Sequence, residues 1–196
     1  MFNKNQVVAV VMGGPSAERE VSLNTGAAIA NALREYGYTN VVEIDLDPRN
    51  FGKQLAESKA EVVFNAVHGL YGEDGRLQTL LEIREMPYTG SGMIASVSCM
   101  DKVITKRMLR DAGISTPACL IVNKKESSIK EKIMQRFSLP VVIKPASQGS
   151  SIGVEIVKEE NQLDEALANA FKFPRYSGGR IYRRQGTYRF HDAERR

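Results

Sequence analysis

The chain has 196 residues, 42% of them hydrophobic, and a formal net charge of +4. That length allows one large domain or two small ones around a buried core, and no apolar run approaches the length of a membrane span. The charge is uneven: residues 174–196 carry seven Arg against two acids, while the rest is nearly neutral, with 20 basic and 21 acidic residues.

The first half alternates strand and helix. Residues 6–12 (QVVAVVM) form a continuous apolar run, as a strand buried on both faces requires. Gly13-Gly14-Pro15 breaks it, and Ser16 is placed to cap a following helix, with Arg19 and Glu20 in its first turn. Val21, Ala28, Ile29, Ala32 and Leu33 recur at helical spacing, and Gly37 closes the helix. Strands are predicted at 41–46 and 62–67 and helices at 54–58 and 75–86. The last carries Leu77, Leu80, Leu81 and Ile83 on or near one face, and residues 87–90 read as extended. Such alternation implies right-handed βαβ units and a parallel sheet. Ligands of such sheets sit beyond the carboxyl ends of the strands. Here those ends carry Gly13-Gly14…Glu18 and His68-Gly69.

From Ser91 the texture changes. A helix is predicted over 98–112, with Asp101, Lys102, Lys106, Arg107 and Arg110, and Gly113 ends it. A strand follows at 118–122, then a helix at 127–137 with Ile129, Ile133 and Met134 inward. A helix over 161–171 is capped by Asn161, with Leu163, Ala166, Leu167 and Ala170 periodic. Between these helices lies LPVVIKPASQGSSIGV, residues 139–154: a strand ending in Lys144-Pro145, a small-residue loop, and a second strand continuing over 154–157. Pro145 lacks an N–H and is expected to stop the ladder. Gly149 and Gly153 permit backbone conformations that other residues resist. Such a loop can aim N–H groups and the hydroxyls of Ser150 and Ser151 at one anion, with Lys144 as a point charge beside it. The plainer alternative is a Gly/Ser turn with a surface lysine. It is not a Walker loop, because the lysine precedes the glycines.

Four stretches together resemble one family. They are Gly13-Gly14-Pro15-Ser16-Ala17-Glu18-Arg19-Glu20-Val21-Ser22; His68-Gly69 with Gly72-Glu73-Asp74-Gly75; Pro87-Tyr88-Thr89-Gly90-Ser91-Gly92 leading to Met100-Asp101-Lys102; and Lys144-Pro145 with Gly149-Ser150-Ser151-Ile152-Gly153. In this order and spacing they are similar to the D-alanine–D-alanine ligases, ATP-grasp enzymes of peptidoglycan synthesis. Each motif alone is weak, and four in register are specific. The resemblance covers about residues 5–173. It implies an α/β chain: a Rossmann-like parallel-sheet N-terminal domain over 1–95, the small α+β lobe of an ATP-grasp fold over 96–173, truncated, and a non-native basic tail over 174–196.

The reaction it implies has two steps. One D-alanine carboxylate takes the γ-phosphoryl of ATP, and the amine of a second D-alanine attacks the acyl phosphate. Chemistry of this kind depends on positioning and charge neutralisation. Glu18 resembles the residue that holds the first substrate's ammonium; otherwise it is a first-turn carboxylate complementing the helix dipole. His68 resembles a residue lining the substrate site; otherwise it is a satisfied strand-end histidine. Ser150 resembles a serine of the hydrogen-bond network around Glu18, and Ser151 lies beside it near the phosphates. Lys102 and Lys144 resemble the two lysines on the ATP phosphates; for Lys102 the alternative is a solvated helix face. ATP and Mg²⁺ are the implied cofactors and D-alanine the implied substrate, with a homodimer formed through the N-terminal domain. Neither membrane nor nucleic acid is an expected partner. The N-terminus shows no signal-peptide layout, and Cys99 and Cys119 read as small buried hydrophobes of a reduced, cytoplasmic protein.

The pattern departs from the family at its end. The acidic and Asn ligands for Mg²⁺ and the loop that closes over the substrates are not found here, so no turnover is expected of residues 1–196. Two other readings stay open: a ligase that accepts D-lactate, and a non-catalytic partner-binding fragment. Residues 174–196 show neither helical nor strand periodicity and contain no Lys. Synonymous codons exist for which the same bases, read one base later, give RDTVAEEFIEGKELTVSMTLNG. That resembles the family's continuation. A frameshift within residues 172–177 is therefore expected; an evolved basic arm would instead bind nucleic acid in a salt-sensitive way.

Overall fold

The structure, a computed structural model, describes residues 3–173 and the strand at 178–183. It divides into two compact units, Met1–Asp101 and Lys102–Arg196.

The first unit is built on a parallel sheet. Strand β1 (Val7–Met12) lies between β2 (Asn40–Asp45) and β3 (Val62–Asn65), pairing in parallel with both. Helices α1 (Arg19–Glu35), α2 (Phe51–Ser58) and α3 (Arg76–Ile83) follow the strands, and α4 (Met93–Met100) closes the unit. Ala9, Val10 and Val11 are fully buried, as their unbroken apolar run requires. One core cluster joins Ala9, Val11, Ile44, Phe51, Leu55, Val63, Leu77 and Leu81. A second joins Val10, Met12, Ala30 and Ala66, packed under α1. Strand β3 ends at Asn65, two residues before the predicted end, because the Asn65 side chain accepts a hydrogen bond from Val67 N and turns the chain.

Several helical expectations are corrected. The row of α1 facing the sheet is Ser22, Gly26 and Ala30, while Val21 is 54% exposed. A Cβ at Gly26 would come within 2.5 Å of Met12 Cβ, so the helix approaches β1 where it carries no side chain. Ser16 does not cap α1, which starts at Arg19 with Glu18 at the N-cap. Ile83 is 74% exposed, outside the α3 stripe of Leu77 and Leu81. The helix predicted over 98–112 is two helices. Helix α4 stops at Met100, Asp101 is extended (φ −84°, ψ 106°), and α5 runs over Lys102–Asp111. Cys99 is exposed and Cys119 half-buried, so neither is the buried hydrophobe expected.

In the second unit the sheet is antiparallel, in the order β4 (Cys119–Asn123), β7 (Gly178–Arg183), β5 (Val141–Pro145), β6 (Glu155–Val157). Helices α6 (Ile129–Arg136) and α7 (Leu163–Ala170) contribute to its core with Ile133, Leu163, Ala166, Leu167 and Ala170, against Val122, Val141, Ile143 and Val157. Met134 points away from this core, at 36% exposure. Strand β5 ends at Pro145, as expected of a residue with no N–H to continue the ladder. Residues 160–162 form a 3-10 turn whose start is closed by a Glu159–Gln162 capping box, not by Asn161. The tail read as aperiodic contributes a strand at 178–183. This β7 pairs with both β4 and β5, so the sheet that residues 102–173 leave incomplete is joined through it. The rest of the tail lies outside the described residues.

Candidate active site

At the carboxyl end of β1 the chain turns through Gly13 and Gly14, both left-handed (φ 71° and 78°). A Cβ on Gly13 would sit 2.2 Å from Asp45 Oδ1, so glycine is required there. Gly13 N donates to Ser22 Oγ (2.8 Å), and Ser22 Oγ donates to the Ala66 carbonyl (2.7 Å), which fastens the first turn to the segment after β3. Arg19 forms two parallel hydrogen bonds to Asp45, at 2.7 and 2.6 Å, at the end of β2. They hold the Asp45 carboxyl below its usual range.

This turn carries Glu18 to His68. Ser16 Oγ accepts from Glu18 N (3.0 Å) and donates to the His68 carbonyl (2.8 Å). Glu18 Oε2 lies 2.5 Å from where a Cβ of Gly69 would be, and Gly69 is left-handed (φ 69°), so glycine leaves room for the carboxylate beside His68. The two predicted substrate residues of this unit, 50 positions apart in sequence, thus meet at the carboxyl ends of β1 and β3. His68 lines a cavity of about 410 Å³, with Thr25, Asn65, Glu73, Ser96 and Cys99 among its other walls, and Glu18 is not one of its lining residues. His68 Nε2 lies 3.1 Å from Thr25 Oγ1, and His68 Nδ1 lies 3.8 Å from Glu73 Oε1. Sequence reasoning assigned no role to Thr25, which belongs to a polar row of α1. Glu73 stood in a quoted motif, but its pairing with the histidine depends on the turn of residues 69–75. Its neighbour Asp74 is structural: it is 2% exposed, its Oδ1 accepts from Arg76 N at 3.2 Å, and its Oδ2 faces Arg76 Nε at 3.5 Å.

In the second unit Lys144 sits one residue before the end of β5, and the loop over 146–153 leads to β6. Lys102, at the start of α5, joins this loop. Its backbone N donates to Ala146 O (3.0 Å), and its Nζ donates to Gln148 O (2.5 Å). So Lys102 is not the solvated helix residue of the alternative reading. Ser150 and Ser151 both adopt positive φ (45° and 60°), and Gly153 follows at 68°. Gly149 does not, so the special conformations fall on Ser150, expected in the substrate network, and on Ser151, expected near the phosphates. Two adjacent non-glycine residues held left-handed are costly, a pattern that clusters at ligand-binding loops. A Cβ on Gly153 would come 2.6 Å from Phe173 and 2.8 Å from Pro145, so this turn has no room for another residue. Among the described residues no group of three or more His, Cys, Asp or Glu side chains is placed to hold a metal ion.

The chain thus contains an α/β unit with a glycine-rich turn at the end of its first strand, and an antiparallel unit in which Lys102 is tied to the loop that follows Lys144. The family model described as "D-ala D-ala ligase N-terminus" matches residues 47–91, and "D-ala D-ala ligase C-terminus" matches residues 108–176. The chain is 49% identical over 173 residues to a D-alanine--D-alanine ligase of Moorella thermoacetica, covering 85% of this chain and 55% of that protein. It is 48% identical over 166 residues to one of Syntrophotalea carbinolica, covering 84% and 52%. The crystal structure of a Bacillus anthracis D-alanine--D-alanine ligase matches with a TM-score of 0.80 and 36% identity, over 92% of this chain and 58% of that one. The same organism's ligase complexed with ATP matches at 0.79 and 33%, over 92% and 59%. The chain belongs to the D-alanine–D-alanine ligase family, and it spans about half the length of the curated relatives it matches.

Proposed function

We propose that this chain carries the first-substrate and phosphate-binding parts of an enzyme that joins two D-alanine molecules at the expense of ATP, for peptidoglycan synthesis. In this reading Glu18 holds the ammonium of the first D-alanine beside His68, and Ser150 belongs to the same substrate network. Lys102 and Lys144 neutralise phosphate oxygens, with the Ser151 hydroxyl and the loop N–H groups as further donors. ATP, when bound, supplies the phosphoryl group that activates the carboxylate. The work of these residues is orientation and charge neutralisation, not covalent chemistry. Among the described residues no group of acidic side chains is placed to hold Mg²⁺. The enzyme acts in the cytoplasm as a homodimer joined through the N-terminal unit, with neither membrane nor nucleic acid as partner.

One observation carries the reading. Lys102 is tied by its backbone and by its ammonium to the loop that follows Lys144. The same loop holds Ser150 and Ser151 in left-handed backbone, a pattern that clusters at ligand-binding loops.

Calorimetric titration of ATP into the chain tests it. Saturable binding is expected, and Lys144→Ala should weaken it about tenfold or more, the loss that follows from one charge-assisted hydrogen bond. Absence of binding, or equal binding by the wild type and by both single lysine-to-alanine variants, overturns the reading. No ADP release dependent on D-alanine is expected from residues 1–196 alone.

A further inference from the structure

The imidazole of His68 is bracketed by two side chains from different elements. Thr25 Oγ1, on α1, lies 3.1 Å from Nε2, and Glu73 Oε1, on the turn after β3, lies 3.8 Å from Nδ1. The two partners are not chemically equivalent. An ionised carboxylate only accepts, so the nitrogen that faces it is favoured to carry the hydrogen. In a neutral ring the other nitrogen is then an acceptor, and the threonine hydroxyl, which can do either, must donate. All three residues line the same 410 Å³ cavity.

We infer that Glu73 and Thr25 are positioning residues that hold His68 as the Nδ1–H tautomer, with Nε2 anchored to helix α1. The consequence lies in what the ring offers to a ligand. Nε2 is engaged at hydrogen-bond distance. Nδ1 is not: at 3.8 Å the carboxylate is near enough to keep the proton on that nitrogen but too far to consume it in a hydrogen bond. His68 therefore presents an N–H donor, and the group it recognises is an acceptor oxygen of the molecule in the cavity. Glu73 beside it disfavours a second bare anion and favours a ligand that also carries a positive group. The inference rests on the reading of His68 as a substrate-site residue for its functional meaning, but not for its geometry.

Nitrogen-15 NMR of the imidazole rings tests it on the full chain without substrate. The chain has two histidines, His68 and His191, and His191→Gln assigns the spectrum. At a pH of about 8, above the ordinary imidazole value of about 6.5, the ring shifts and two-bond couplings report the tautomer directly. The wild type is expected to show the Nδ1–H form dominant for His68. Glu73→Gln, whose amide can donate as well as accept, should reduce it to a minority, and Glu73→Asp should restore part of it. Thr25→Val should broaden or shift the Nε2 signal by removing its donor. A dominant Nε2–H form in the wild type overturns the inference, as does a Glu73→Gln spectrum identical to it. Both measurements are independent of ATP binding, so the proposed function stands or falls separately. Glu73 is about half exposed, and the wild-type spectrum alone decides the tautomer if a variant fails to fold.

Discussion

Arg19 and Asp45 face each other fork to fork, Nη1 on Oδ1 at 2.7 Å and Nη2 on Oδ2 at 2.6 Å, joining the first turn of α1 to the end of β2. The hydrogen bonds from Arg19 are the main reason the Asp45 carboxyl is held below its usual range. A carboxylate with a depressed folded-state value contributes stability above its unfolded value, and that contribution is lost as pH falls through the folded one. Both side chains are more than a third exposed, so the effect is screened. Asp45→Asn should flatten the acid limb of the stability curve below about pH 4 and leave its shape near pH 7 unchanged. Urea unfolding followed across that range checks this, and an unchanged acid limb would remove the pair from the account.

Gly26 marks the closest approach of α1 to β1. An added Cβ would meet Met12 Cβ at 2.5 Å and Met12 Sδ at 2.8 Å. Gly26→Ala gains about 1 kcal/mol of helix propensity but overpacks a filled contact at a cost of about 1–3 kcal/mol. A net loss of stability is expected, read as a lower urea midpoint with unchanged slope. A gain would mean that the helix moves away from the strand without penalty.

The register of the second sheet sets Arg180 of β7 directly across from Lys144 of β5, and across from Ile121 of β4 on the other side.

Strand β4 finds its ladder partner only in β7 among the described residues. Deleting residues 174–196 should leave β4 with an open edge and promote aggregation. Size-exclusion chromatography of the shortened chain checks this, and a monodisperse, cooperatively unfolding product would refute it.

The frameshift reading gains a structural consequence from the same register. Counted from Pro174 in the alternative frame, AEEFIE takes the place of Gly178–Arg183, which sets a glutamate across from Lys144. Sequencing the encoding DNA across codons 171–179 decides the matter. One base more or fewer, with an open frame beyond it, makes the basic tail an artefact of reading. Confirmation of the bases as read makes β7 the strand this protein uses.

Most of the architecture was legible in the sequence because it rests on local patterning. Unbroken apolar runs mark strands buried on both faces, and β1 follows this. The run Leu163, Ala166, Leu167, Ala170 is buried as its period demands. Local patterns failed where a neighbour decides. The sheet-facing row of α1 is Ser22, Gly26 and Ala30, small residues that a hydrophobic count passes over, because close approach to Met12 favours the absence of a side chain. The break at Asp101 was hidden because helical residues stand on both sides of it.

The sequence by itself determined the two fold types, the glycine turns and the candidate pairs Glu18 with His68 and Lys102 with Lys144, since motif and order are properties of the chain. Only the tertiary structure decided what each of these residues touches. Thr25 and Glu73 reach the His68 ring, Gln148 receives the Lys102 ammonium, and Ser150 and Ser151 adopt left-handed backbone, because such contacts depend on where separate segments are brought by the packing of the core. The tail was the extreme case. Its composition carries no strand signal, yet residues 178–183 form a central strand, because the unpaired backbone groups of β4 and β5 on either side form hydrogen bonds with any extended segment between them.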